Sequence, residues 1–346
     1  MTPETAPNPI SATIPLEEDG AHHGFLRLPV SRDESAWGSV MIPFAVIRNG
    51  PGPTALFTGA NHGDEYEGPI ALQALAHELR PETISGRVIV VPYMNFPAFR
   101  EARRTSPLDG VNLNRAFPGS PTGRPTEKIA DYFQRVLLPE ADVVLDFHSG
   151  GKTLDFIPFA AAHLLDDKAQ EAACAAAMRA FNAPFSMRLR EIDAVGMYDT
   201  AAEAAGKVFV TTELGGGGTA TARSARIARR GAANLLMHAG ILTGTPAIEP
   251  SVLIDTTDGD CFHLAEEEGM VEPLADLGEP VAKGAPLARI WSTTRTGRAP
   301  FTALSRQDGV LAARHFPGLV RTGDCLAVVA NVVAEMECAP AGGQIG

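Results

Sequence analysis

Two kinds of apolar segment alternate between residues 40 and 240, and this alternation restricts the possible folds more than any other feature of the chain. Short runs rich in β-branched residues predict strands over 40–48, 54–58, 87–92, 143–147 and 207–212. Apolar residues at helical spacing predict helices around 72–79, 126–137, 167–182 and 221–240. Strands that alternate with helices indicate an α/β fold in which helices flank a layered sheet.

The segment after Pro246 has a different pattern, because its short apolar runs are separated by Gly, Pro and Asp and show almost no helical periodicity. We therefore predict an α/β domain over 1–246 with an N-terminal extension over 1–39, a smaller all-β domain over 247–338, and a tail over 339–346. The β domain resembles the hammerhead fold of biotinyl and lipoyl domains, which carry a cofactor on a hairpin lysine. No lysine follows Ile290, so we expect this domain to be structural or to form a wall of the site.

The charge balance limits the partners. The 346 residues include 29 Lys and Arg against 41 Asp and Glu, a formal charge of −12, which disfavours nucleic acid and anionic membranes. No basic, apolar leader and no run approaching ~18 apolar residues is present, so we expect a cytoplasmic protein. Four scattered cysteines without a C-x-x-C pair exclude a disulfide framework and leave His and carboxylates as the candidate metal ligands.

The segment GANHGDEYEGP, residues 59–69, lies where a predicted strand ends and a helix begins. His62 and Glu65 are three positions apart, so a turn and the first helical residues can direct an imidazole and a carboxylate at one point. The spacing is weak evidence by itself, since His263 and Glu266 repeat it in the β domain. We assign no site to that second pair.

Two further residues distinguish the first pair. His148 follows the predicted strand 143–147, and Glu213 follows the strand 207–212. Loops at the carboxyl ends of parallel strands share one crevice, so all four residues should converge. Two histidines and one carboxylate are a typical ligand set of a catalytic zinc ion, which leaves one coordination position for water. The ion lowers the pKa of that water towards ~7. Glu213 is then a candidate general base, although it could instead cap the glycine-rich turn that follows.

Arginines supply the remaining chemistry. The segment RRTSPLDGVNLNRAFPG, residues 103–119, contains Asn114 and Arg115 before a turn signal, with Arg104 upstream. One guanidinium group suits a substrate carboxylate, and a second one near a metal would stabilise the oxyanion of a tetrahedral intermediate.

The motifs G-x-x-H-G-x-E, N-L-N-R-x-F-P-G, D-F-H-S-G and T-E-L-G, in this order, resemble the succinylglutamate desuccinylase and aspartoacylase family. That family is a branch of the zinc carboxypeptidase-like fold, with a mixed sheet flanked by helices, and the resemblance covers about residues 40–240 and extends to the added β domain. It implies a zinc-dependent amide hydrolase with one Zn²⁺ per subunit that removes an acyl group from a small N-acyl amino acid. The implied roles are zinc ligands for His62, Glu65 and His148, general base for Glu213, an α-carboxylate clamp for Asn114 and Arg115, and carbonyl polarisation for Arg104 or its neighbour Arg103.

Longer strings, among them NHGDEYEGPIAL and EIDAVGMYDTAAE, are similar to a branch of the family that removes acetyl from an acetylated diamino acid. Asn112 stands where the aspartoacylase branch often has Asp, which disfavours an aspartate-like substrate. A diamino substrate would need a carboxylate for its free ammonium group. Asp193 is our chosen candidate, with Glu191 and Asp199 as alternatives. We also expect a homodimer.

Other functions fit the sequence less well. Gly215, Gly217 and Ala220 satisfy a dinucleotide fingerprint but lack the acidic residue it requires, and the GGKT at 150–153 lacks the first glycine of a phosphate loop. A metal-holding module without turnover would normally close its zinc with a fourth protein ligand. A metallocarboxypeptidase, or a deacylase of the succinylglutamate or N-acetylaspartate type, remains the alternative among enzymes.

Overall fold

The computed structural model describes residues 6–190, 194–257 and 259–336. Its helices are α1 (Glu67–Glu78), α2 (Phe96–Arg100), α3 (Pro125–Tyr132), α4 (Leu138–Glu140), α5 (Lys168–Phe181), α6 (Tyr198–Ala204) and α7 (Ala222–His238). The first ten strands are β1 (Ser11–Ala12), β2 (Gly20–Pro29), β3 (Ser39–Asn49), β4 (Thr54–Gly59), β5 (Gly86–Val91), β6 (Val143–His148), β7 (Leu154–Phe156), β8 (Phe159–His163), β9 (Phe185–Leu189) and β10 (Val208–Glu213). The remaining strands are β11 (Ser251–Asp255), β12 (Phe262–Leu264), β13 (Gly269–Pro273), β14 (Pro280–Val281), β15 (Pro286–Trp291), β16 (Phe301–Leu304), β17 (Gly309–His315), β18 (Leu319–Val320) and β19 (Cys325–Met336).

A large mixed sheet organises the molecule, and its strand order begins β1-β2-β3-β5-β4-β6-β10-β8-β9. The four central strands β5, β4, β6 and β10 run parallel, whereas β8 is antiparallel to β10. Alternate residues of β4 enter two separate cores: Phe57 packs with α1, α5 and α7 on one face, and Leu56 packs with α3 and α6 on the other. The mixed sheet between helical layers implied by the family resemblance is confirmed.

The long predicted elements have observed counterparts at nearly the same positions, but β2, β8, β9 and α6 were not predicted. Strand β8 has the sequence FAAAH and β9 has FSMRL, and neither contains the β-branched residues that mark strands in a sequence. Their burial between β10 and β11 gives them strand conformation despite this low local propensity.

The C-terminal strands belong to two different sheets. Strands β16, β15, β13 and β18 make a separate antiparallel four-stranded sheet, as expected for an added all-β region. Strand β11 instead pairs in parallel with β9 and antiparallel with β19, so the main sheet continues past Pro246. The division at 246/247 stays a prediction. Within the described ranges, no helix is long and apolar enough to cross a membrane.

Candidate active site and metal centre

Three neighbouring parallel strands bring the predicted residues to one place. β4 and β10 both pair with β6, and their carboxyl ends lie at the same edge of the sheet. In this register Glu213 is the direct partner of His148, so their side chains project from the same face. His62 and Glu65 lie in the loop that follows β4. The four residues therefore converge from segments that are distant in the sequence.

The loop that carries His62 depends on a close backbone approach. A Cβ atom on Gly63 would lie 2.1 Å from the carbonyl carbon of Ala98, so only glycine fits there. The Gly63 N–H donates to the carbonyl oxygen of Arg103 at 2.9 Å. Ala60, at the start of the loop, has a φ of 49°. This backbone folds the loop inwards and leaves His62 and Glu65 each 3 % exposed.

His62, Glu65 and His148 form a group suited to a metal ion, since one ligand atom from each lies within 4.8 Å of the others. The Nδ1 atom of His62 is 2.7 Å from Oε1 of Glu65, and Nδ1 of His148 is 3.0 Å from Oε2. One carboxylate thus faces both imidazole rings. The three residues could hold a single cation.

The hydrogen bonds around His62 test whether a cation fits. The Oδ1 atom of Asn112 accepts the Asn114 N–H at 2.9 Å, which fixes the orientation of the amide, and lies 3.2 Å from Nε2 of His62. Nε2 must then be the protonated nitrogen, and Nδ1 faces the Glu65 carboxylate with its lone pair. Two acceptors at 2.7 Å repel each other unless a proton or a metal ion lies between them. The donor set therefore fits a metal ion.

Electrostatics lead to the same conclusion. Burial lowers the pKa of His62, and the nearby Arg104 lowers it further. Burial also acts to lower the pKa of His148, but the carboxylates of Asp146 and Glu65 outweigh burial and raise it well above the usual value. Burial opposes ionisation of Glu65, yet the two imidazoles hold its pKa well below the usual range. The carboxylates thus favour positive charge beside His148, which a metal ion would supply.

Asp146 is a site residue that the sequence reasoning missed. Its Oδ2 lies 2.8 Å from Nε2 of His148, while Thr58 Oγ1 and Asn61 Nδ2 donate to the carboxylate at 2.6 and 3.1 Å. A carboxylate behind a ligand histidine fixes the ring and raises the basicity of its other nitrogen. The available signal was its position two residues before His148 in β6, because such residues share a face of a strand.

Glu213 ends β10, is half-buried and lines the cavity. Burial and the nearby Glu65 carboxylate raise its pKa to about 8. Its Oε2 atom is buried and has no hydrogen-bond partner among the described residues. A buried carboxyl oxygen without a partner is costly in a purely structural role. The predicted alternative, a cap on the glycine-rich turn, gains no support from this environment.

The two neighbouring arginines occupy different places. Arg104 lines the site cavity, with Nη1 3.4 Å from Nδ1 of His62 and 3.8 Å from Oε1 of Glu65. Arg103 is exposed and pairs with Glu101 at 3.5 Å. Of the two candidates for polarising a carbonyl, only Arg104 reaches the metal-ligand group.

The predicted clamp lies in a 3₁₀ turn over Leu113–Arg115. Asn114 and Arg115 both line the cavity. Oδ1 of Asn114 accepts the N–H of Tyr198 at 3.0 Å, which directs its amide oxygen away from any ligand. Its NH₂ group and the Arg115 guanidinium are the donors that a substrate carboxylate could use.

The cavity above the metal-ligand group has a volume of about 430 Å³, within the range of small-molecule sites. The C-terminal region forms part of its wall, which includes Thr256, Phe262, Ala312, Cys325 and Val328. The C-terminal region therefore contributes directly to the cavity.

The other acidic residues and the second histidine considered in the sequence lie in different places. Asp193 and Glu191 lie outside the described residues, whereas Asp199 is buried and lines the cavity. The ring of His263 has a structural partner, since its Nε2 accepts the Arg306 N–H at 3.0 Å. This contact agrees with assigning no site to the pair it forms with Glu266.

Residues 51–239 match the model of the succinylglutamate desuccinylase/aspartoacylase catalytic domain family. The chain belongs to this family. The predicted family is confirmed, and so is the predicted class of enzyme, a hydrolase of linear amide bonds.

Relatives agree over nearly the whole chain. It is 54 % identical over 332 residues to the N-alpha-acetyl-L-2,4-diaminobutyric acid deacetylase of Halomonas elongata, covering 95 % of this chain and 97 % of the relative. The product-bound structure of the ectoine utilization protein EutE (DoeB) from Ruegeria pomeroyi is 62 % identical with a TM-score of 0.93, covering 94 % and 99 % of the two chains. A succinylglutamate desuccinylase/aspartoacylase from Rhodobacter sphaeroides is 38 % identical with a TM-score of 0.90, covering 94 % and 100 %.

A substitution behind the ligand shell tests the metal centre. Asp146→Asn keeps the shape of the side chain but removes the charge beside His148, so we expect zinc affinity to fall about 10- to 100-fold. Competition with a chelator of known affinity measures this change. Asp276→Asn, which removes a charge from an exposed side chain, is the matched control and should leave affinity unchanged. Equal affinity of the Asp146 variant and wild type would contradict the role of Asp146.

Proposed function

We propose that the protein is a zinc-dependent deacetylase that converts N-alpha-acetyl-L-2,4-diaminobutyrate to L-2,4-diaminobutyrate and acetate. The observation that carries this proposal is the convergence of His62, Glu65 and His148 beside Glu213, in a small cavity. The activity of the Halomonas elongata relative supports the substrate.

Zn²⁺ would be held by Nδ1 of His62, Nδ1 of His148 and the Glu65 carboxylate. When bound, it supplies Lewis acidity and lowers the pKa of a water to near neutrality. Asp146 and Asn112 hold the two rings by their outer nitrogens, so each ring presents its lone pair to the ion. These residues preorganise the centre.

Glu213 would move the proton. Amide hydrolysis requires a group that takes a proton from water and later returns it to the leaving nitrogen. One carboxyl group can perform both steps when its pKa is close to the working pH, and burial raises the pKa of Glu213 towards that range. The acetyl group then leaves as acetate, and the amino acid leaves with its amine restored.

The arginines would bind and polarise the substrate. Arg115 and the Asn114 amide would hold the α-carboxylate, while Arg104, beside the ligand group, would donate to the amide oxygen as negative charge develops on it. This arrangement would bring the amide on the α-nitrogen, adjacent to the clamped carboxylate, towards the metal-ligand residues.

The cavity wall favours this reaction over that of a carboxypeptidase. Both would use the same zinc chemistry, but a peptide needs a cleft that continues beyond the scissile bond. Here residues of the C-terminal strands, such as Phe262 and Val328, form part of the cavity wall, which favours a short N-acyl amino acid. A cytoplasmic location and a homodimer stay predictions.

The test combines metal analysis with acetate release from purified protein. We expect about one zinc per chain and the highest kcat/KM on N-alpha-acetyl-L-2,4-diaminobutyrate, compared with its N-gamma-acetyl isomer, N-acetylaspartate, N-succinylglutamate and a C-terminal dipeptide. Preference for the dipeptide or for N-succinylglutamate would overturn the proposal.

A further inference from the structure

A second group of charged residues lies at the other end of the cavity from Glu213. His163 and Asp199 both line it, and Asp199 is only 7 % exposed. Nε2 of His163 is 4.0 Å from Oδ2 of Asp199, and its Nδ1 is 2.8 Å from Oε1 of Glu203. We call these three residues the acidic group.

The acidic group contains two carboxyl groups and one imidazole, so its side chains offer more acidic than basic groups to a ligand. Leu189, the partner of His163 in β9, lines the cavity together with the apolar side chains of Met187 and Phe209. In such surroundings a negative charge strongly favours a cationic partner.

Backbone contacts fix Asp199 relative to the carboxylate clamp. Asn114 Oδ1 accepts the Tyr198 N–H, and the Phe117 N–H donates to the Gly196 carbonyl oxygen at 3.0 Å. A Cβ atom on Gly196 would lie 2.7 Å from the Arg115 carbonyl oxygen, so the two segments are in close contact. A ligand held by the clamp therefore has Asp199 at a defined distance.

The spacing suits a diamino acid. Glu213 pairs with Phe159 across β10 and β8, and His163 is four residues further along β8, about 13 Å at strand spacing. From its amide oxygen to its side-chain nitrogen, an N-alpha-acetylated diaminobutyrate spans six bonds, or about 7 Å when extended. The extended substrate is therefore shorter than this length of β8, so its two ends can face opposite ends of the cavity.

We propose that Asp199, supported by His163 and Glu203, binds the free side-chain ammonium of the substrate and thereby selects N-alpha-acetylated diamino acids over neutral N-acetyl amino acids. This inference rests on the proposed function and adds to it the residue that sets specificity. Thr200 N–H and Oγ1 donate to Oδ1 of Asp199, which orients its carboxylate.

The test compares two substrates that differ only in the ammonium group, N-alpha-acetyl-L-2,4-diaminobutyrate and N-acetyl-L-2-aminobutyrate. For Asp199→Asn we expect kcat/KM on the charged substrate to fall about 100-fold, mainly through KM, because a charge-assisted hydrogen bond is lost. On the neutral substrate the change should stay within about 3-fold. Asp166→Asn removes a charge from an exposed side chain and is the matched control.

Several results would overturn the inference. Equal losses on both substrates would indicate a structural role for Asp199, and wild-type kinetics on both substrates would show that Asp199 has no role in the reaction. A selective loss in Asp193→Asn but not in Asp199→Asn would assign the ammonium to Asp193. Should Asp199→Asn fail to fold, Glu203→Gln decides, with an expected selective loss of about 10-fold. Wild-type protein that hydrolyses neither substrate would refute the proposed function itself, whereas hydrolysis of both without an effect of the acidic group refutes only this inference.

Discussion

Glu213→Gln is expected to lower kcat on N-alpha-acetyl-L-2,4-diaminobutyrate by about 10²- to 10⁴-fold while zinc content stays at the wild-type value. The amide keeps the size of the side chain but cannot accept a proton from water. Glu213 is not one of the three clustered ligand residues, so the metal should remain. Acetate release at fixed time points measures kcat, and elemental analysis of the same preparation measures the zinc content.

The control for this variant is Glu78→Gln, since Glu78 is an exposed glutamate that pairs with Arg229 far from the site. It should retain full activity. Turnover of Glu213→Gln within a few-fold of wild type would remove the assignment of the general base. Loss of zinc together with activity would instead place Glu213 among the ligands.

His148→Ala is expected to reduce bound zinc to near zero and activity to background. The substitution removes one of three ligands and leaves Asp146 and Glu65 facing each other without the intervening ring. Loss of the several kcal/mol that a metal contributes to the transition state corresponds to at least about 10³-fold in rate. Zinc content and acetate release should fall in parallel.

Two controls accompany the ligand variant. His77→Ala removes an exposed histidine from α1 and should keep both zinc and activity. His62→Ala should reproduce the loss, because its ring is the other nitrogen ligand. Full zinc content in both His148→Ala and His62→Ala would contradict the proposed metal centre, whatever the effect on turnover.

The metal-ligand candidates could be predicted because they follow strong strand signals. β4, β6 and β10 are rich in apolar and β-branched residues, so the positions of His62 and His148 at their carboxyl ends followed from simple sheet geometry. Asp146 was not identified because its function depends on the direction of the His148 ring. That direction is a tertiary property without a local sequence signal.

The specificity residue and the C-terminal wall were harder to predict. Asp199, Asp193 and Glu191 lie within nine positions of one another, and sequence distance cannot tell which carboxylate reaches a cavity. The contacts that place Asp199 come from Asn114 and the segment around Gly196, which are about 80 positions apart. Strands β8 and β9 contribute residues to the cavity near Asp199, but they lack the β-branched residues that mark strands in a sequence.

The continuation of the main sheet through β11 bears on how this enzyme could be shortened. β9 lies between β8 and β11, so its outer backbone groups are satisfied by a strand that follows Pro246 in the sequence. A fragment ending at that proline would expose a row of unpaired amides beside apolar side chains, the kind of surface that seeds self-association. Excised alone, the α/β portion is expected to self-associate through this edge.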